Sequence, residues 1–121
     1  MVNIMTNKID ITKSLPQEQW AKFFDQFSED NSGRSIAIEI IDAEVGDEAL
    51  ISNAPLMAII YDRPGKGDDL VIETGKNQVN YAHTINSPTE ISTAQNQNGE
   101  IVVIQITDAT DTKTLVKLQA S

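Results

Sequence analysis

The side chains best suited to acid–base chemistry lie in the stretch NYAHTI, which holds His83, the single histidine of the chain, and Tyr81. Residues i and i+2 of an extended strand point to the same face, so Tyr81, His83 and Ile85 should share one face with Val79, just before them. An imidazole acts as a general acid or base only when a carboxylate or nucleophile lies within hydrogen-bond reach. The stretch supplies no such partner, and we therefore favour a packed, structural histidine.

A second group of polar residues, Tyr61, Asp62 and Arg63, follows the apolar run PLMAII. These residues end a segment that should form a buried strand. They could meet Tyr81 and His83 at the mouth of a curled sheet. A small-molecule-binding or hydrolytic pocket lined by these five residues is the alternative function that the sequence leaves open.

The sequence gives little support for a metal site, a reactive cysteine or a nucleophilic serine. The chain has no cysteine and one histidine, so a zinc site would lack its usual ligands. The acidic segment 39–49 could offer oxygen ligands to calcium, but, counted from Asp42, the EF-hand positions for glycine and glutamate hold Asp47 and Asn53. A solvated acidic turn is favoured there, and calcium binding is a weaker alternative. No serine sits in a Gly-x-Ser-x-Gly elbow.

The stretch Gly65-Lys66-Gly67 leads into a strand, whereas a phosphate-binding loop needs Gly-x-x-x-x-Gly-Lys-Ser/Thr before a helix. It is interpreted as a long hairpin turn. We therefore predict no metal and no cofactor. The sequence leaves enzymatic activity open and favours a non-enzymatic protein.

The charge balance narrows the possible partners. The chain has 9 basic and 18 acidic residues, a formal net charge of −9. Its lysines and arginines are scattered singly, so it lacks the basic cluster that nucleic acid or an anionic membrane requires. We expect a protein partner or a homo-oligomer. The N-terminus resembles no signal peptide, and no apolar run approaches the ~20 residues of a membrane span. A cytoplasmic location is expected.

Residues 14–30, SLPQEQWAKFFDQFSED, carry the strongest helix signal. Ser14 and Gln17 have the spacing of a capping box, and Pro16 suits a first helical turn. Gly33 is suited to ending the helix. A single apolar stripe at positions i, i+3, i+4 and i+7 predicts an amphipathic helix packed on a core; its members are Trp20, Phe23, Phe24 and Phe27.

From residue 35 onward the apolar pattern changes to a period of two, which is typical of strands. The predicted strands are seven segments, at 35–41, 55–62, 69–74, 78–85, 89–95, 100–107 and 113–119. Their connections, among them Asn86-Ser87-Pro88 and Asn98-Gly99, are too short for crossover helices and predict hairpins. We expect a flexible lead at residues 1–13, or an added edge segment there. Residues 14–121 should form one α+β domain, with the helix on a mostly antiparallel, curled meander or partly closed barrel of about seven strands.

Four stretches together resemble a small bacterial family, the DUF5335-type domain, which is frequent in cyanobacteria. They span most of residues 16–106 and read QWAKFFDQFS, IAIEIIDAEVGDEAL, PLMAIIYDRPGKGDDLVI and YAHTINSPTEI. None is a catalytic signature. The resemblance implies a compact α+β domain without an assigned activity, and it transfers no functional residue. We therefore predict a small acidic domain that serves as a non-enzymatic binding or interaction module.

Overall fold

The structure is a computed structural model and describes residues 11–119, apart from 43, 45, 63 and 64. The chain begins with strand β1 (Ile11–Leu15), a short 3-10 helix (Gln17–Gln19) and helix α1 (Trp20–Asn31). Seven further strands follow: β2 (Ser35–Asp42), β3 (Gly46–Asp62), β4 (Asp69–Thr74), β5 (Tyr81–Asn86), β6 (Pro88–Gln95), β7 (Ile101–Asp108) and β8 (Lys113–Leu118).

All eight strands belong to one antiparallel sheet with the order β1-β6-β7-β8-β2-β3-β4-β5. Within the described residues no pairing joins β1 to β5, so the sheet does not close. The predicted α+β fold, one helix on a mostly antiparallel sheet, is confirmed. The eighth strand is β1, whose residues 11–13 lie in the segment expected to be a flexible lead or an edge segment. Residues 1–10 of that segment lie outside the described residues.

Strand β3 is much longer than its neighbours and pairs with two of them in succession. Its first half runs beside β2, from Gly46 opposite Asp42 to Pro55 opposite Ser35. Its second half runs beside β4, from Leu56 to Asp62. The acidic segment 39–49, interpreted from its composition as a solvated turn, is therefore largely a β2–β3 hairpin, with β2 ending at Asp42 and β3 beginning at Gly46.

Helix α1 packs mainly on β3 and covers the edge of its second half, where β2 no longer runs alongside. The Ser28 hydroxyl accepts a hydrogen bond from the Ile59 N–H at 2.8 Å and donates one to the Ile59 carbonyl at 3.2 Å. One side chain thus satisfies both backbone groups of a strand residue, as a neighbouring strand would. Buried backbone groups need such partners, so this contact fixes the helix against the sheet.

The helix begins later than the capping pattern suggested. Ser14 belongs to β1 and pairs with Ser92 of β6, so the predicted capping box at Ser14 is wrong. Pro16 precedes the 3-10 turn, and α1 starts at Trp20 without a side-chain cap. The Trp20 indole N–H instead donates to the Leu15 carbonyl at 2.9 Å. This bond ties the start of the helix to the end of β1.

The core lies between α1 and the inner face of the sheet. The predicted aromatic stripe of α1 is confirmed, since Trp20, Phe24 and Phe27 are buried and Phe23 packs partly against them. Alternate residues of the strands complete the core, as the period of two predicted. The strand residues that are fully covered include Ile36, Ile38, Ile59, Leu70, Ile72, Ile91, Ile104, Ile106 and Val116. Among the described residues, no helix has the length and apolarity to cross a bilayer.

The predicted hairpin at residues 86–88 is wrong. β5 pairs with β4, whereas β6 pairs with β1 and β7, so the two strands that flank Ser87 lie at opposite ends of the sheet order. Ser87 has a positive φ of 52°. Its N–H donates to the Asp68 carbonyl and its carbonyl accepts from the Ala109 N–H. This single residue therefore turns a corner between the two ends of a strongly curled sheet.

We expect Ser28→Ala to lower the free energy of unfolding by about 1–3 kcal/mol, because it leaves both backbone groups of Ile59 without their partner. Urea denaturation followed by circular dichroism measures this change. Ser52→Ala, at an exposed position of β3, is the matched control and should change stability by less than about 0.5 kcal/mol. Equal effects of the two substitutions would contradict the proposed anchoring role of Ser28.

Candidate functional site

The histidine of the NYAHTI stretch lies on β5, at one edge of the sheet. Within the described residues β5 pairs with β4 alone, which places His83 opposite Ile72 and Tyr81 opposite Thr74. Tyr81 and His83 are half-buried and Ile85 is buried, whereas the residues between them are exposed. These three residues share the inner face of the sheet, as predicted. Val79, which was predicted to share this face, precedes β5 and is 44% exposed.

The imidazole lies in a partly dry environment. Burial lowers the pKa of His83 below its ordinary value of 6.5, because the charged form loses hydration. The side chain is therefore neutral at pH 7. Among the described residues, no hydrogen bond or ion pair engages it, so no carboxylate is in place to orient it as a base.

Of the other predicted site residues, Tyr61 lies apart from His83. Tyr61 is buried on β3 beneath the start of α1, where its hydroxyl accepts a 3.3 Å hydrogen bond from the Gln17 amide and donates a 3.5 Å bond to Asp68. Its ring meets the Trp20 ring edge-to-face, with centroids 5.2 Å apart. β4 runs between β3 and β5, so Tyr61 is two strand spacings, roughly 10 Å, from β5.

Asp62 and Arg63 complete the predicted set. Asp62 is exposed at the end of β3, opposite Asp69. Arg63 lies outside the described residues. The structure therefore brings Tyr81 and His83 together on one strand face, while Tyr61 belongs to a separate hydrogen-bonded cluster with Gln17 and Asp68.

The tight loop before β5 determines where this strand begins. Gly75 has a φ of 151°, and a Cβ atom there would collide with the Gln78 carbonyl. The Gly75 N–H donates to the Pro55 carbonyl, and the Asn80 N–H donates to the Thr74 carbonyl. Only glycine fits this close approach of backbone to backbone. The chain is thereby turned directly into β5.

The outer edge of β5 has no strand beside it within the described residues. The Ser87 N–H donates to the Asp68 carbonyl, and bonded pairs alternate along an antiparallel ladder. The backbone N–H and C=O groups of Ala82, Thr84 and Asn86 consequently point to the open side. None of the six residues of β5 carries a charge when His83 is neutral.

The described residues also line a cavity of about 320 Å³ between α1 and the β6–β7 loop. Arg34, Phe23 and Glu100 lie in its wall, and none of the predicted site residues does. No sequence signal indicated it, because its lining comes from segments 23–34 and 99–101, which become neighbours only in the folded chain.

The fold and this site define a small α+β domain with an incompletely closed antiparallel sheet and no assembled catalytic group among the described residues. A family model described as "Family of unknown function (DUF5335)" matches residues 11–121. The chain belongs to the DUF5335 family, as its sequence resemblance predicted.

A relative is similar to most of this chain and has no assigned activity. An "Uncharacterized protein" of Aquifex aeolicus (strain VF5) is 30% identical over 108 residues, which cover 89% of this chain and 92% of that protein. No solved structure matches the chain. The comparisons thus establish the family and assign no activity.

The lowered pKa of His83 predicts a pH-dependent stability. Between this lowered pKa and about 6.5, the unfolded chain binds more protons than the folded chain, so the free energy of unfolding rises with pH. Stability should therefore be lost as the pH falls through about 6.5.

His83→Gln removes this titration while every carboxylate remains. Urea denaturation of both proteins between about pH 5 and pH 8 should show a steeper loss for the native sequence at the acidic end. Parallel curves for the two proteins would contradict a desolvated histidine.

Proposed function

We propose that this domain is a non-enzymatic interaction module that associates through the free edge of β5. The observation that supports this proposal is the combination of an open edge and an uncharged strand. An unpaired edge offers a row of N–H and C=O groups to another strand. Added strands of this kind are a common mode of protein recognition.

The two edges of the sheet differ in their protection. Edge strands that must stay unpaired commonly carry lysine or other charges. β1 has the exposed Lys13 in its centre, whereas β5 has the sequence YAHTIN. Val79, just before β5, is also 44% exposed. β5 is therefore the better surface for a partner strand.

A second copy of the chain is the simplest partner, because two identical edges can pair antiparallel about a two-fold axis. Thr84 is the middle one of the three residues that direct their backbone to the open side, so it would face its counterpart across the axis. Each copy carries a formal charge of −9. Salt should therefore strengthen the association by screening the repulsion.

Light scattering tests this proposal, with a complex of twice 13.3 kDa expected for the native chain. Thr84→Lys should weaken the dimer at least tenfold, because it places a charge on the pairing edge. Thr12→Lys is the matched control, since Thr12 is an exposed threonine on the other edge strand, β1. It should leave the mass unchanged. A chain that stays monomeric up to about 1 mM, with salt added, would contradict the proposal.

A second candidate function is a small-molecule-binding or hydrolytic pocket around Tyr81 and His83. It is favoured by their half-burial on the inner face, beside the side on which the sheet is open. An incompletely covered apolar interior with a few polar groups is a common setting for ligand sites.

A fragment screen followed by chemical shifts of the Tyr81 and His83 rings tests this second candidate. A fragment that binds there should lose about tenfold in affinity with His83→Ala. Thr84→Ala changes the neighbouring residue on the exposed outer face and should have no effect. An affinity unchanged by His83→Ala would exclude the pocket.

A further inference from the structure

The cavity between α1 and the β6–β7 loop, hereafter the α1 cavity, has walls built from two rigid elements. One wall comes from α1 and the residues after it, with Phe23, Phe27 and Asp30 on the helix and Arg34 beyond its end. The opposite wall is the end of the β6–β7 loop, Gly99 and Glu100, together with Ile101, the first residue of β7. Its volume of about 320 Å³ falls in the range of small-ligand sites.

The loop wall is held in place by Asn96. Its side-chain oxygen accepts hydrogen bonds from the Asn98 and Glu100 N–H groups at 2.9 and 3.1 Å, and its amide donates to the Glu100 carboxylate at 3.0 Å. Asn96 is itself buried. Glu100 is therefore presented to the α1 cavity by a fixed backbone.

Arg34 is the unusual residue of the α1 cavity. Its guanidinium is half-buried and donates to the Asn31 side chain at 3.1 Å and to the Gln119 carbonyl at 2.9 Å. Its Nε atom is buried without an acceptor. A guanidinium has five N–H donors, and the part of the chain that the structure describes accepts hydrogen bonds from two of them.

Arg34 also has no counter-charge among the described residues. Their ion pairs join Lys113 to Asp111 and Lys117 to Glu39, and neither involves Arg34. A half-buried charge is normally paired, and this chain has twice as many acidic as basic residues. A carboxylate in the α1 cavity would supply the missing charge and could accept from the remaining N–H groups of the two terminal guanidinium nitrogens.

The rest of the lining restricts which carboxylate fits. Asp30 and Glu100 also line the cavity, and they would repel a ligand with several negative charges. One oxygen of each accepts a hydrogen bond from an amide, of Gln26 and Asn96 respectively. Their remaining oxygens suit an ammonium group, which donates three hydrogen bonds.

The apolar part of the α1 cavity comes from Phe23, Phe27 and Ile101. The two phenylalanine rings are stacked, 5.8 Å apart with an angle of 21° between their planes. They form a flat apolar surface beside the charged groups. The α1 cavity thus combines a cation, a pair of carboxylates and an apolar surface within the space of one small molecule.

We propose that the α1 cavity binds a free α-amino acid with an apolar side chain. Arg34 holds the carboxylate, Asp30 and Glu100 hold the ammonium group, and the side chain packs on Phe23 and Ile101. This site is separate from the β5 edge, so the proposed ligand binding and the proposed association can be tested independently.

Calorimetry and backbone chemical shifts of the full chain test the proposal, with L-leucine and L-phenylalanine as probes. Saturable binding of one of them below about 1 mM is expected, with shifts centred on residues 23–34 and 99–101. Two analogues of leucine dissect the recognition. 4-Methylpentanoate lacks the ammonium group and 3-methylbutylamine lacks the carboxylate, and each should bind at least tenfold more weakly.

Two variants complete the experiment. Asp30→Asn should weaken leucine about tenfold but should not weaken 4-methylpentanoate, which has no ammonium group for Asp30 to hold, while Asp25→Asn, at another exposed position of α1, should change neither. Arg34→Lys retains the charge but not the planar geometry, and it should weaken leucine while the circular dichroism spectrum stays native. Absence of saturable binding by both amino acids overturns the proposal. So do shifts that map elsewhere, or equal affinities for leucine and 4-methylpentanoate.

Discussion

Strand β3 has β2 beside its first half and no strand on that side of its second half. Another element must therefore cover the second half. β2 begins at Ser35, which lies opposite Pro55 of β3. Just beyond this pair, the Leu56 backbone still bonds to Gly33 and Arg34. Further along, a backbone edge would be left facing the core. The Ser28 hydroxyl takes the place of a strand at Ile59, and helix α1 is thereby fixed in position.

The position of α1 determines both proposed binding surfaces, the β5 edge and the α1 cavity. Its aromatic side chains fill the inside of the sheet, so β1 and β5 can remain unpaired edges while the interior stays covered. The part of α1 that carries Phe23, Phe27 and Asp30 lines a cavity together with the β6–β7 loop. Both features therefore follow from a helix that substitutes for a strand at one point only.

The sequence predicted what local patterns can encode. The aromatic spacing of α1 and the alternation of the seven predicted strands were sufficient, because each element buries one face. For residues 1–13 the sequence did not decide between a flexible lead and an edge segment, because the pairing of β1 with β6 joins residues far apart in the chain. Residues 86–88 were correctly predicted to turn the chain. A hairpin and a turn between two unpaired strands use similar residue types, so the sequence did not distinguish them. Gly99 has the positive φ expected of it, although the β6–β7 loop extends from residue 96 to residue 100.

The candidate sites were predicted less well, for a related reason. Alternation along one strand was enough to place Tyr81 and His83 on a common face. Tyr61 does not reach them, because β4 lies between β3 and β5. Strand order is not encoded in the pattern of a single strand. Arg34 carries no motif at all, and its absence from the ion pairs of the described residues is visible only once those residues have positions in the fold.

The strand order also has a consequence for protein synthesis. β1 can pair only after β6 has been synthesised, and β2 can pair with β8 only after residues 113–118 have been synthesised. The sheet is therefore completed only after β8 has left the ribosome, and long-range strand pairing is slow in any case. During this interval the nascent chain exposes unpaired strands that could join those of other nascent chains. Its strong negative charge then keeps neighbouring copies apart, just when the fold itself gives no protection.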